Sequence, residues 1–380
     1  MAIERRNFLK GLGALGLSLG GVPAGAITGA GRQILYSPRA DMDDRYYLSA
    51  VESSGGVLFD TPIPARAHDV VHRPGSGEVV VLARRPGYYL AVIDAGSGKR
   101  LRNLSVDPER PLYGHGIFSS DGRYLFTTEN DYQNQRGVIG IRDAQDGYRR
   151  VGEIESGGIG PHDLCLMPDG KTLVIANGGI LTHPDAGRSK LNLDTMMPSL
   201  AYVETSSGKL VDDFRLEKRL HQLSIRHLDV NADGQVCFAM QFQGPKHQRL
   251  PLVGFHRGQA SLQLADTPKQ VLRQMKNYCG SVCADASGEA FAVSSPRGNL
   301  VTFWSAEGGY AGSVALPDGC GLARSNTPGS FFLSSGQGEL GRYRMLSGDY
   351  QTLTRHPVIS GNRWDNHMIS ADFPSSTNPV

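Results

Sequence analysis

The sequence predicts an all-β fold, a seven-bladed β-propeller. Three observations carry this. A unit of roughly 40–50 residues repeats along the chain, the length of a propeller blade. Each unit holds four short stretches rich in β-branched and aromatic residues, separated by Asp-Gly, Ser-Gly or Gly-Gly turns, which is a hairpin signature repeated. Five histidines fall at one point of the unit: His68, His115 and His162 at intervals of 47 residues, then His227 and His367 after longer gaps.

The blades follow in order. The first opens at His68 and runs through a Val-Val-Val-Leu strand to Val92-Ile93-Asp94. The second opens at His115 and the third at His162. The third carries an insertion, residues 178 to 199, between its second and third strands. The fourth opens at His227. Two weaker units begin near Ser281 and Cys320 and lack the histidine. The seventh is split: Trp364–Phe373 supplies its innermost strand, and three stretches between residues 32 and 64 supply the others. Closure by both chain ends removes the open sheet edges that invite aggregation. Helical periodicity is nearly absent, and Leu272–Tyr278 is the one short helix or connector. The expected organisation is a leader, residues 1–26, and one propeller domain, residues 27–380.

The leader reads Arg5-Arg6-Asn7-Phe8-Leu9-Lys10, then a short Gly-rich apolar stretch, then Ala24-Gly25-Ala26. This matches a twin-arginine export signal with a small-residue cleavage site. The expected compartment is the periplasm. The apolar stretch is too short and glycine-rich to stay as a membrane span. The chain carries a net charge of +2, and Arg5, Arg6 and Lys10 against Glu4 account for it, so the mature protein is near neutral. No basic stripe is present to neutralise phosphates, which argues against nucleic-acid binding. A monomer is expected.

In a propeller the first strand of each blade lines the central channel, so a residue recurring at the head of that strand converges with its counterparts. His68, His115, His162, His227 and His367 therefore form a candidate metal centre, because imidazole suits copper, zinc, iron or nickel. Asp69, Asp163, Arg226 and Asn366 adjoin these histidines and are candidates for orienting them. Trp364 is either a packing wedge beneath the ring or a wall of the pocket. Glu129 and Asn177 end second strands and are the candidates for a hydrolytic metal site, the alternative reading. The insertion adds His183, Asp185 and Arg188, with Lys190, Asn192 and Asp194 beside them. A long aperiodic loop is either functional or a tolerated excursion. Gly-x-Ser-x-Gly occurs only inside the leader, at Gly16–Gly20, Ser-x-x-Lys only in the turn Ser206–Lys209, and His-Glu-x-x-His not at all, so nucleophilic catalysis has no motif in a fitting context. A hydrolase or oxidoreductase using the channel site, and a metal-free interaction scaffold, stand as the alternatives to a metal binder.

Five cysteines, Cys165, Cys237, Cys279, Cys283 and Cys320, leave at least one unpaired. Cys165 and Cys283 lie inside first strands as core residues. Cys279 and Cys320 precede first strands of adjacent blades, and in an oxidising compartment a disulfide between them is the expectation. Metal ligation by either is the sharper alternative.

The twin-arginine leader, Ala-His-Asp at 67–69, Gly-His-Gly at 114–116, Gly-Pro-His-Asp at 160–163, the Thr-His-Pro-Asp insertion, Arg-His-Leu at 226–228 and Trp-Asp-Asn-His at 364–367 together resemble the domain of unknown function 1513 family, across essentially the whole mature chain. Its blades are similar to YVTN-type and quinoprotein-like blades. The resemblance implies a periplasmic protein encoded beside imelysin-type iron-uptake proteins and a haem-containing oxidoreductase-like partner. It implies iron as the metal, with copper next, and supplies no activity.

Overall fold

The computed structural model describes residues 32–187, 189–353 and 363–373. The leader, residues 1–26, and Arg188 of the insertion lie outside them.

Seven antiparallel sheets build the propeller. Blade 1 comprises β4 (Ala67–His72), β5 (Glu78–Ala83), β6 (Tyr89–Asp94) and β7 (Arg100–Ser105). The innermost strands of blades 2 to 6 are β8 (Leu112–Phe118), β12 (Pro161–Leu166), β16 (Leu223–Val230), β20 (Ser281–Ala284) and β24 (Gly319–Arg324). The seventh blade is closed by both ends, as the sequence predicts. β29 (Ile369–Phe373) lies innermost and pairs with β1 (Arg32–Ala40), with Tyr36 opposite Ile369; β2 (Tyr46–Glu52) and β3 (Val57–Pro62) follow outward. Each innermost strand touches the next, from β4 through β8, β12, β16, β20 and β24 to β29, and β29 returns to β4. The one α-helix among the described residues is α1 (Lys269–Gln274), beginning three residues before the predicted connector.

The period of two in each strand sends alternate side chains to opposite neighbours. Val79 and Val81 pack on blade 7, against Ile34, Tyr36 and Leu48. Val80 and Leu82 pack on blade 2, against Leu112, Phe118 and Leu125. Both sets are fully buried. At about 1.5–3 kcal/mol for each large apolar side chain buried, blade contacts rather than any central core hold the ring. Fourth strands such as β7 face solvent. No helix among the described residues is long and apolar enough to cross a membrane.

Two buried groups follow this packing rather than the predicted chemistry. Glu129, fully buried, takes Arg142 at 2.9 Å and Arg150 at 3.0 Å within blade 2. Its strand neighbour Asp131 takes Arg110 and Arg136, and Glu153 links the two halves. Glu129 is thus an anchor of an ion network and does not face the histidines. The disulfide expected between Cys279 and Cys320 is also corrected: all five cysteines are free thiols. The Cys279 sulfur points at the Leu252 carbonyl in the core of blades 3 to 5. The Cys320 sulfur points at the Asp365 carbonyl, 3.2 Å away, between blades 6 and 7. The two serve different blade interfaces.

Candidate metal centre

The five histidines meet. His115 stands in the middle, its ring centroid 4.8 Å from His68, 4.9 Å from His162, 5.6 Å from His227 and 4.4 Å from His367. His162 and His227 are 4.7 Å apart, and His227 and His367 are 5.0 Å apart. This is a packed cluster with a hub rather than an open ring. Two triads offer ring nitrogens within 4.8 Å of one another, His68–His115–His162 and His115–His227–His367, and His115 belongs to both.

Local irregularity in the innermost strands aims these side chains. In β4, Ala67 pairs with Ala83 and Asp69 with Leu82, so His68 is an extra, unpaired residue. In β12 the same slip falls on His162, between Pro161 and Asp163. In β8 it lies between Leu112 and Gly116, around His115. In β16 it falls on Arg226, beside His227. Bulges of this kind re-aim a side chain that regular pleating would turn into the sheet. Gly114 completes the fit. Its φ is +122°, and a Cβ there would lie 2.4 Å from His68 Cδ2, so only glycine allows the two rings to pack.

Buried polar atoms normally find partners, yet here His68 Nδ1 and Nε2, His115 Nε2, His162 Nδ1, His227 Nδ1 and His367 Nε2 have no hydrogen-bond partner. Burial pushes all five imidazoles below the ordinary histidine pKa, and their mutual proximity adds to this for His68, His162, His227 and His367, the last reaching about 3. They are neutral at pH 7, the form that ligates a metal.

Asp69 and Asp163 sit on one side of the hub. His115 Nδ1 lies 3.4 Å from Asp69 Oδ2 and 3.2 Å from Asp163 Oδ1. Burial raises both carboxyls to about 6. At pH 7 the carboxylates hold the His115 proton on Nδ1 and turn the Nε2 lone pair towards the other rings. Each aspartate also staples two blades: Asp69 accepts from the Gly116 N–H and Asp163 from the Leu228 N–H. Asp229, absent from the sequence prediction, does the same to Ala284 N–H. These aspartates, with Cys165, Cys283 and Arg324, line a channel cavity of about 650 Å³ that His115 and His367 face.

On the opposite side His68, His162 and His227 face a smaller cavity of about 250 Å³. Its walls include Arg84, Arg85, Arg226, Arg297 and Lys190, together with Asn366. Arg226 is buried, and burial with the charge of Arg85 lowers its pKa to about 10. The insertion thus contributes Lys190 and Ile180 to the wall. Asn192 pins the loop by accepting from the Leu181 N–H and donating to the Gly179 carbonyl. His183 and Asp185 are exposed and cap a short turn, with the Asp185 N–H donating to His183 Nδ1.

The remaining candidates have packing roles. Trp364 is buried in the core between blades 6 and 7 and donates to the Gly338 carbonyl. Asn177 donates to the Ser156 carbonyl at 2.8 Å, next to the turn before β12. Of the cavity's arginines the sequence pointed only to Arg226; Arg84, Arg85 and Arg297 escaped it, although the repeat held their signal. Arg84-Arg85, Gln243 and Arg297 all follow second strands, which return antiparallel to the end where the first strands begin.

The fold and site define a seven-bladed propeller with a buried histidine cluster across its channel. The chain belongs to the DUF1513 family, described as proteins of unknown function, whose family model matches residues 61–371. No curated protein sequence matches it. Among solved structures it is similar to Kuenenia stuttgartiensis hydrazine synthase, with a TM-score of 0.59 and 15% identity over 87% of this chain and 98% of that one. At that identity the likeness is one of fold.

Proposed function

We propose that this protein binds a transition-metal ion on the histidine cluster and serves metal acquisition or handling. The observation that carries the reading is the set of buried, neutral imidazoles whose ring nitrogens lack partners. Leaving a polar group unpaired in the interior costs about 1–3 kcal/mol, and five adjacent histidines multiply that cost unless a ligand satisfies them. A tetrahedral ion with nitrogens at about 2.1 Å needs them about 3.4 Å apart. Small side-chain rotations bring either triad, now within 4.8 Å, onto one ion. Because His115 is common to both, its Nε2 serves one triad at a time.

Imidazole donors suit iron, copper, zinc and nickel. The family resemblance favours iron, then copper, and a role beside imelysin-like iron-uptake proteins. The twin-arginine leader supports a periplasmic setting.

The test is elemental analysis of protein exported through its own leader, beside a His115→Ala/His162→Ala variant. Stoichiometric metal that vanishes in a still-folded variant supports the reading. Absence of metal from the parent protein, even after reconstitution with iron and copper, refutes it.

A further inference from the structure

The cavity above His68, His162 and His227 has a feature the metal reading does not use. Its wall carries Arg84, Arg85, Arg226, Arg297 and Lys190 and no carboxylate. A second cavity of about 370 Å³ shares Lys190, Gln241, Gln243, Tyr278 and Arg297 with it and adds Lys246, Arg249 and Lys276, again with no carboxylate. In a chain whose net charge is only +2, this concentration of cations at one channel mouth is a local construction. The opposite side of the histidines is lined by Asp69, Asp163 and Asp229. The cluster therefore separates a cationic mouth from an anionic channel.

Like charges crowded together cost free energy unless an opposite charge joins them. The crowding is direct: burial and the charges of Arg226, Arg297 and Arg85 depress the Lys190 pKa. Arg226 is 5% exposed, and its Nε, a donor fixed in a planar fork, has no partner. Arg85 is held in place from behind by the Tyr113 hydroxyl at 3.0 Å, and Arg297 lies over the Tyr278 ring at 4.2 Å. Guanidinium groups steadied in this way present paired donors that match carboxylate and phosphate oxygens. Gln243 Oε1 accepts from Lys190 Nζ, and the Gln241 and Gln243 amide nitrogens donate to the Cys279 and Gln241 carbonyls, which steadies this wall. The space suits a compact ligand.

We propose that this mouth binds a small multivalent oxyanion, of the polycarboxylate or phosphate kind, between Arg85, Arg226, Lys190 and Arg297. Bound there, the anion stands against His68, His162 and His227, so it would meet a metal on the cluster as a co-ligand or arrive with it as an anionic chelate. The proposal goes beyond the metal reading and stands or falls separately from it.

The test is calorimetric titration of citrate and of inorganic phosphate into metal-free full-length mature protein at low ionic strength. The variants are Arg85→Gln/Arg297→Gln, whose side chains stand at the accessible rim, and Lys209→Gln, a remote exposed lysine. The expected result is saturable one-to-one binding that weakens about tenfold or more for each rim arginine removed and is unchanged in Lys209→Gln. Preference between the two probes identifies the class of anion. Two outcomes overturn the proposal: no saturable binding of either anion at millimolar concentration, or equal weakening by Lys209→Gln. Anion binding by a protein that takes no metal would remove the metal reading and leave this one. Metal binding without anion binding would do the reverse.

Discussion

Replacing Asp163 with asparagine tests how the hub histidine is held. Asp163 Oδ1 accepts from the Leu164 N–H at 2.8 Å and lies 3.2 Å from His115 Nδ1, while Oδ2 accepts from the Leu228 N–H at 3.2 Å. All these neighbours present hydrogens. An amide has one oxygen, so its NH₂ must face either Leu228 N–H or the pair formed by Leu164 and His115. At least one buried donor then loses its acceptor, at a cost of about 1–3 kcal/mol in stability for each. The substitution also removes the charge that holds the proton on Nδ1, so His115 can turn the wrong nitrogen to the cluster. Loss of such an orienting partner lowers metal affinity by about 10–100-fold, or roughly 1.4–2.7 kcal/mol. Competition against a chromophoric chelator at neutral pH measures the affinity, and denaturant unfolding of the metal-free protein measures the stability. An affinity within about twofold of the parent in a folded variant would refute the claim that Asp163 orients a metal-binding His115.

Four further outcomes are expected. His115→Ala removes the member common to both triads and should lower metal affinity more than His68→Ala or His367→Ala, each of which leaves one triad whole; the same chelator competition ranks them. Glu129→Ala strands Arg142, whose side chain is 5% exposed; breaking a buried pair costs about 3–5 kcal/mol, read by denaturant unfolding, with metal stoichiometry retained in whatever folds. Metal-free protein should lose stability as pH falls below about 6.5, because the unfolded histidines take up protons that the buried cluster, with its lowered pKa values, refuses. Asp69 and Asp163, raised to about 6, act oppositely between about pH 6 and 3.9, where the folded state binds their protons first. Five histidines outweigh them, so urea midpoints should fall with pH throughout that range. Cys237, Cys279 and Cys320 should resist alkylation in the native state, since they are buried and burial pushes their pKa upward, Cys279 and Cys320 to about 12, whereas Cys165 and Cys283 line the channel cavity; five should titrate after unfolding.

The blades were legible because a hairpin repeat is a local pattern, and β29 could be assigned to the first blade's neighbour because a closed ring needs a seventh innermost strand. The convergence of the histidines was legible from their register alone. Their packing about His115 was not, since it depends on bulges at His68, His162 and Arg226 that shift the ladder by one residue without a sequence marker. Glu129 misled because a carboxylate at a strand end carries no sign of which face it takes; Arg142 and Arg150, on the two following strands, decide it. Cys279 and Cys320 misled because equivalent positions in adjacent blades need not face one another. The cationic mouth is assembled from Arg84, Arg85, Lys190, Arg226 and Arg297, which are scattered along the chain and invisible to overall composition.

X-ray absorption at the edge of the bound metal reads out whether the histidine cluster is the ligand set. Histidine ligation gives a first shell at about 2.0–2.1 Å with the multiple-scattering pattern of at least three imidazoles, reduced in His115→Ala. A first shell containing sulfur, or one of oxygen donors without imidazole scattering, would contradict it.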